Sequence, residues 1–487
     1  MKNFLVPRLR DILFIAILAA ALALGPHMLS LDSDLGRHLT LGGFILDSQQ
    51  IPNHDLFSHT RTGDSRPAYE WLTQVILAGA DRLAGLDGVV LVTALVIAIA
   101  LTIVYVNAAR RSHFPLAALM IAVLATAASS LHWLPRPHVA TFLFLALWIE
   151  RLERVRRAEF VPVWHFPVLM FLWVNAHGGF IFGNLAWAAY FAGWVWEFVR
   201  KSANLQIGRK LLVIGGTSMI STIITPSLFG NWQAILSNNS QYILGRTIET
   251  MPADFTQPGI WPFALLLFFV ILSPLLARKS PPAAHIFLLA GFAVMGLVMV
   301  RNIPLFAIAA APILAENVSN ALGHVKRWTI IESNITSLEN PLRGAIWPIL
   351  FGLGFILFIG VRYQVQNESL THFDVHVFPV AAVDWLDEHP QSGNMFNEIN
   401  WGGYLLYRLW PEQKVFLDSQ TDFYGEALVR EYETSLTMRE GWEEIFSKYQ
   451  IEWVILPANS ELMRALGNDP AWDTLYTDST AVIMRQK

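Results

Sequence analysis

Apolar residues in this chain gather in long runs rather than alternating at the periods of surface helices or half-buried strands. A helix needs about 20 apolar residues to cross a bilayer core. Runs of that kind lie at 11–29, 88–106, 114–131, 137–150, 160–175, 179–199, 210–226, 260–277, 282–299, 303–317 and 345–362. The runs at 137–150 and 303–317 are short, and the one at 160–175 is interrupted by His165 and Pro167. The first run follows Lys2, Arg8 and Arg10 and lacks a small-residue cleavage site before Asp32, so it reads as a retained helix rather than a signal peptide.

Beyond about residue 363 the pattern changes to short apolar stretches between turn signals. Ala381–Glu388 reads as an amphipathic helix, and Val415–Leu417 and Trp453–Leu456 as buried strands. The expected fold class is an α-helical polytopic membrane bundle of about 11 transmembrane helices with a small C-terminal extracytoplasmic α/β domain. The division falls into 1–362, with a long first external loop at 30–87, and 363–487.

Composition agrees with this pattern. Of 487 residues, 54% are hydrophobic and 15% charged, against roughly 25% charged in soluble chains. Eighteen tryptophans suit anchoring at the headgroup level. The absence of cysteine excludes disulfides, thiolate catalysis and thiolate-bound zinc. No nucleic-acid partner is expected; the membrane lipid is one.

Charge asymmetry orients the bundle. Lys2/Arg8/Arg10, Arg110/Arg111, Arg151–Arg157, Arg200–Lys210, Arg278/Lys279 and Lys326–Arg343 all fall on alternate connections, which the positive-inside rule places in the cytoplasm. The expected location is a bacterial inner membrane, N-terminus cytoplasmic and C-terminal domain periplasmic or extracellular.

The opposite connections hold different chemistry. They contain Asp32-Ser33-Asp34 with Arg37 and His38, then His54-Asp55 and Tyr69-Glu70-Trp71. His132 to His138 with Arg136, Asn175 to His177, Arg246, Glu249 and Arg301 follow. Ionisable residues at span ends usually line cavities. Asp32 and Asp34 can share a divalent cation such as magnesium or manganese, or one can act as base while the other holds a ligand. An N-cap role is the simpler reading for one of them. His38, one helical turn on, with His54 and Asp55, completes the candidate metal set. Glu70 is a further candidate acid or base. Arg136, Arg246, Arg301 and His177 are suited to neutralising a phosphate.

On these residues the chain resembles the GT-C membrane glycosyltransferases, which include protein O-mannosyltransferases and the catalytic subunit of oligosaccharyltransferase. It is also similar to bacterial membrane proteins of the same layout. The likeness is carried by the acidic Asp32-Ser33-Asp34 after the first span, the N-in bundle, and a terminal stretch with Asn400-Trp401-Gly402-Gly403-Tyr404 before Val415–Asp418. That stretch is similar to the surroundings of the Trp-Trp-Asp-Tyr-Gly motif of oligosaccharyltransferases, with glycine where the motif has its acid. The resemblance implies a polyprenyl-phosphate sugar donor and an acceptor glycan, lipid or protein. It implies Asp34, with Asp32 and Glu70, at the chemistry, the arginines at the donor phosphate, and Asn175, Trp401 and Tyr404 nearby. Two other classes share the features: a non-catalytic scaffold or accessory subunit of a membrane complex, and a transporter.

Overall fold

The computed structural model describes residues 5–237, 240–277, 280–342, 344, 346–366 and 369–487. Lys2, Arg278, Lys279 and Arg343, used above to orient the chain, lie outside them. Each of the eleven apolar runs falls on helix. Among the described residues, five helical segments are long and apolar enough to cross a membrane: Trp71–Ser112, Pro115–His132, Pro258–Leu276, Val300–Leu322 and Ile346–Val365. Leu9–Ala23, His138–Arg156, His165–Ala176, Phe180–Val199, Leu205–Ser221 and Ala283–Val298 complete the bundle. Leu275, Leu357 and Ile271 stand 78%, 64% and 68% exposed. Such outward apolar faces are stable against acyl chains, where water would penalise them.

The helix Trp71–Ser112 breaks at Ala84 and Gly85, where Gly85 takes φ +59°. A Cβ there would lie 2.2 Å from Ser369 Oγ, so glycine is required by both space and conformation. The bend separates an outer segment, which packs on the helix Leu35–Ser48, from the spanning one.

At the basic end of the bundle, charges lock helices together. Buried Glu153 meets His285 at 2.9 Å, Tyr190 at 3.0 Å, and Arg156 and Arg157 at 2.7 Å each. Arg111 and Arg157 both reach Glu316 at 2.8 Å. Glu332, on the peripheral helix Lys326–Glu339, accepts from the free N–H groups of Leu116 and Ala117 at 2.9 Å, which caps that span's N-terminus.

The chain's end carries a four-stranded sheet in the order β1-β2-β4-β3, with β1 Asn394–Asn397, β2 Ile451–Pro457, β3 Trp472–Thr477 and β4 Ala481–Gln486. β1 and β2 are parallel and the other pairs antiparallel. Side chains alternate across the sheet. Trp453 and Ile455 enter one core and Val454 and Leu456 another. The first of these cores continues into the loop after the first span through Leu35, Leu39 and Phe57. The α/β region and that loop are therefore packed as one body.

Val415–Leu417 is not a strand of this sheet, contrary to the expectation from its apolar run. Val415 makes a single parallel bridge with Ser58, exchanging hydrogen bonds with Phe57 and His59 at 3.0 and 3.1 Å. The run is apolar because it is buried between the sheet and the first loop.

Candidate active site

One pair of glycines sets the distance between the loop after the first span and the α/β region, and two more glycines allow close approach within each part. Gly36 opens the helix Leu35–Ser48, and Gly403 opens the helix Gly402–Leu409. A Cβ on Gly36 would sit 2.1 Å from the Gly403 carbonyl oxygen, and one on Gly403 would sit 2.3 Å from that of Ser33. Gly402 gives the same room to Leu417 and Asp418, at 2.5 and 2.6 Å. Gly42 does so for Gln74, at 2.1 Å. Only bare backbones approach this closely, and the approach delivers Asp418 and Ser419 to the acidic loop.

Asp32 is buried and caps the helix: its Oδ1 accepts from the N–H groups of Asp34 and Leu35 at 2.8 and 3.1 Å and from Arg136 Nε at 2.7 Å. Its Oδ2 is buried without a hydrogen-bond partner among the described residues. Asp34 faces the same guanidinium, its Oδ2 being 2.8 Å from Arg136 Nη1. Asp34 Oδ1 accepts from Ser419 Oγ at 2.5 Å and from Arg37 Nη2 at 3.3 Å. Arg37 Nε in turn lies 3.5 Å from Asp418. Burial works to raise the Asp34 pKa, but Arg136, Arg37, His38 and the Ser419 hydroxyl outweigh it, so the carboxyl is held well below the usual range.

Glu70 is the opposite case. Burial, with repulsion from Asp34 and Asp422, outweighs Arg37 and Arg136 and pushes its pKa up to about 8. His38 Nδ1 lies 3.9 Å and His177 Nε2 3.5 Å from its oxygens. Burial holds both imidazoles well below their usual pKa, helped by Arg37 at His38 and by His138 and Arg301 at His177. These are contacts between neutral groups, not ion pairs. The Gly179 N–H donates to His177 Nδ1 at 2.9 Å, which puts the ring proton on Nε2, toward Glu70. Two carboxyls within electrostatic reach of each other thus differ at neutral pH, one ionised and one protonated, the pattern that separates acid from base roles.

The remaining candidates divide between this centre and the scaffold. Glu249 lies 3.6 Å from Arg136 and 3.9 Å from Arg301, which brings Arg301 to the rim. Arg246 does not join them: it is 48% exposed, paired with Glu433 at 2.6 Å and stacked on Tyr242. His54 is exposed: its ring meets Asn53 at 3.2 Å, its backbone bridges Ser65, and it borders the cleft that Glu70 lines. Asp55 is turned inward to Ser58 and Arg66, both at 2.6 Å. Asn175 joins Trp71 to the carbonyls of Phe171 and Ile224. Trp401 donates to the Val377 carbonyl at 2.8 Å and borders the larger cleft, whereas Tyr404 is buried and accepts from Arg408 at 3.0 Å. Sequence reasoning named Arg37 beside His38 and Asp418 at the end of the Val415–Asp418 stretch without giving either a role, and did not name Ser419. The signal that leads to Asp418 and Ser419 is the Gly402-Gly403 pair, since adjacent glycines opening a helix mark close backbone approach.

Two clefts flank the acidic loop. One, narrow, is lined by Arg37, Tyr69, Glu70, Gln74, Arg66 and Gln420. The other, of about 1380 Å³, lies between Leu31 and Ser33 and the α/β residues Phe378, Trp401, Asn459 and Thr480.

The expected divalent ion meets a specific obstacle. Hard oxygen donors are present, but the guanidinium of Arg136 bridges Asp32 and Asp34 where an ion would sit. Like unit charges 4 Å apart repel by about 4 kcal/mol at an effective dielectric constant of 20, and a divalent ion doubles that. Among the described residues, no three of Asp32, Asp34, His38, His54 and Asp55 bring donor atoms together as a ligand set. Glu153, His285 and Glu316 do so, within 4.8 Å of one another. That group lies at the basic end, some 17 residues along the helix from Arg136, or about 25 Å at 1.5 Å per residue, and three arginines already balance it. The donors at the acidic loop do not fit a metal.

A many-helix bundle whose first long inter-helix loop carries an acidic pair under a terminal α/β region is a fold that this chain shares with solved oligosaccharyltransferases. The oligosaccharyltransferase of Archaeoglobus fulgidus in its apo form is similar over 91% of this chain and 69% of its own, with TM-score 0.60 and 13% identity. AglB of that organism, in complex with an inhibitory peptide and a dolichol-phosphate, is similar over 96% and 74%, with TM-score 0.59 and 12% identity. ArnT from Cupriavidus metallidurans bound to undecaprenyl phosphate covers 97% of each chain at TM-score 0.49 and 14% identity. No family model and no curated protein matches the sequence.

Proposed function

We propose that this protein transfers a glycosyl group from a polyprenyl-phosphate-linked donor to an acceptor on the extracytoplasmic side of the membrane. The observation that carries the reading is the pairing of ionised Asp34 with Arg136 beneath the α/β region, on a GT-C fold. The positive-inside rule puts that end of the bundle outside the cytoplasm.

In this reading the acceptor hydroxyl displaces Ser419 from Asp34 Oδ1, and Asp34 accepts its proton as the new glycosidic bond forms. The bond from the anomeric carbon to the donor phosphate breaks, and its electron pair leaves on the phosphate oxygen. Arg136, with Arg37 and Arg301 at the rim, faces that charge. Protonated Glu70 donates a hydrogen bond into the same cleft. The outward apolar helix faces give the prenyl chain its approach from the bilayer.

The test is transfer in proteoliposomes charged with tritium-labelled lipid-linked sugars from native membranes. Asp34→Asn should lower transfer of label out of the donor lipid by about 10²–10⁴-fold, the usual contribution of a positioned base. Full activity in that variant would reject the assignment.

A further inference from the structure

We propose that Arg136 takes the place of a divalent metal in this site, so that the transfer runs without one. The inference rests on the proposed glycosyl transfer and names which group meets the leaving phosphate.

Three observations carry it. Arg136 bridges the acidic pair, with Nε 2.7 Å from Asp32 and Nη1 2.8 Å from Asp34, so the two carboxylates are already joined through a cation. That cation is fixed to the protein: Arg136 lies in the turn before the helix His138–Arg156, and its N–H donates to the Leu134 carbonyl at 2.8 Å. Its Nη2 makes no hydrogen bond among the described residues, while Nε and Nη1 hold the two aspartates. A guanidinium carries five N–H groups in one plane, so Arg136 can hold both aspartates and still present two N–H groups to a phosphate oxygen. Arg37, 3.3 Å from Asp34 on the other side, leaves no uncompensated edge on that carboxylate.

In the transfer, the anomeric C–O bond breaks and its electron pair goes to the phosphate oxygen facing Arg136 Nη2. The acceptor oxygen forms the new bond and its proton passes to Asp34. No oxidant, reductant or further reactant is needed.

The experiment uses manganese itself as probe, on the purified full-length protein in detergent, read by electron paramagnetic resonance. Wild type should bind no manganese below millimolar concentration. Arg136→Ser should bind one equivalent, because Asp32 and Asp34 are then left facing each other, and Arg136→Ser with Asp34→Asn should lose it. Arg136→Lys, which keeps the charge, should stay silent, a control that does not depend on the serine variant folding. In the transfer assay, EDTA should leave wild-type activity within twofold. One manganese bound to wild type at micromolar affinity and lost in Asp34→Asn would overturn the proposal, as would abolition of transfer by EDTA and its return with manganese. The manganese titration decides the place of Arg136 even if no glycosyl transfer is found, so failure of the wider reading and failure of this inference give different results.

Discussion

Ser419 of the α/β region donates a hydrogen bond to Asp34 of the loop after the first span across 2.5 Å, joining two side chains 385 positions apart in sequence. A hydrogen bond to a charged group contributes about 1.5–3 kcal/mol. A double-mutant cycle of Ser419→Ala and Asp34→Asn, followed by unfolding in mixed micelles, should show coupling of about that size. Additive effects would mean that the two groups do not meet.

The glycine contact between Gly36 and Gly403 is a second requirement. Gly403→Ala should separate the helix Gly402–Leu409 from the acidic loop, costing about 1–3 kcal/mol as other overpacked contacts do. Lower thermal stability and faster proteolysis between the bundle and the α/β region would register it. Gly352, with open space around it, is the control and should accept alanine without either effect.

Glu70 predicts a pH dependence with a definite sign. Its pKa is raised from 4.5 to about 8 in the folded protein, so the fold binds a proton that the unfolded chain releases. The associated stability is complete below pH 4.5 and is lost as pH rises through about 8. Glu70→Gln cannot ionise and should melt higher than wild type by a margin that grows from pH 5 to about 8 and then levels. Parallel melting curves across that range would contradict the burial of this carboxyl.

Arg246 should matter little. It is half exposed and paired with Glu433 on the surface, where solvent screens the pair. Arg246→Ala should leave transfer within twofold of wild type, whereas Arg136→Ala should reduce it at least a hundredfold. Equal losses would show that the donor phosphate spans both positions.

Much of this was readable before the structure. The eleven runs lie on helices because a bilayer leaves a spanning backbone no alternative. Asp32, Asp34, Glu70, Arg136 and His177 could be placed together because they share one set of span ends. Arg246 lies on the same side yet outside the centre, since sidedness constrains depth and not lateral position. Asp418 and Ser419 were hidden by distance along the chain, and Val415 by an apolar run that buries a bridge as readily as a strand. Trp401 and Tyr404 drew notice for their motif. The glycines between them, which have no side chains to suggest chemistry, set the approach of the two halves.

The most direct measurement compares binding of undecaprenyl phosphate and undecaprenol, which differ only in the phosphate, to the purified protein by native mass spectrometry. The account predicts at least tenfold preference for the phosphate, lost in Arg136→Ala and kept in Arg246→Ala. Equal affinity for the two lipids, or a preference that survives Arg136→Ala, would contradict it.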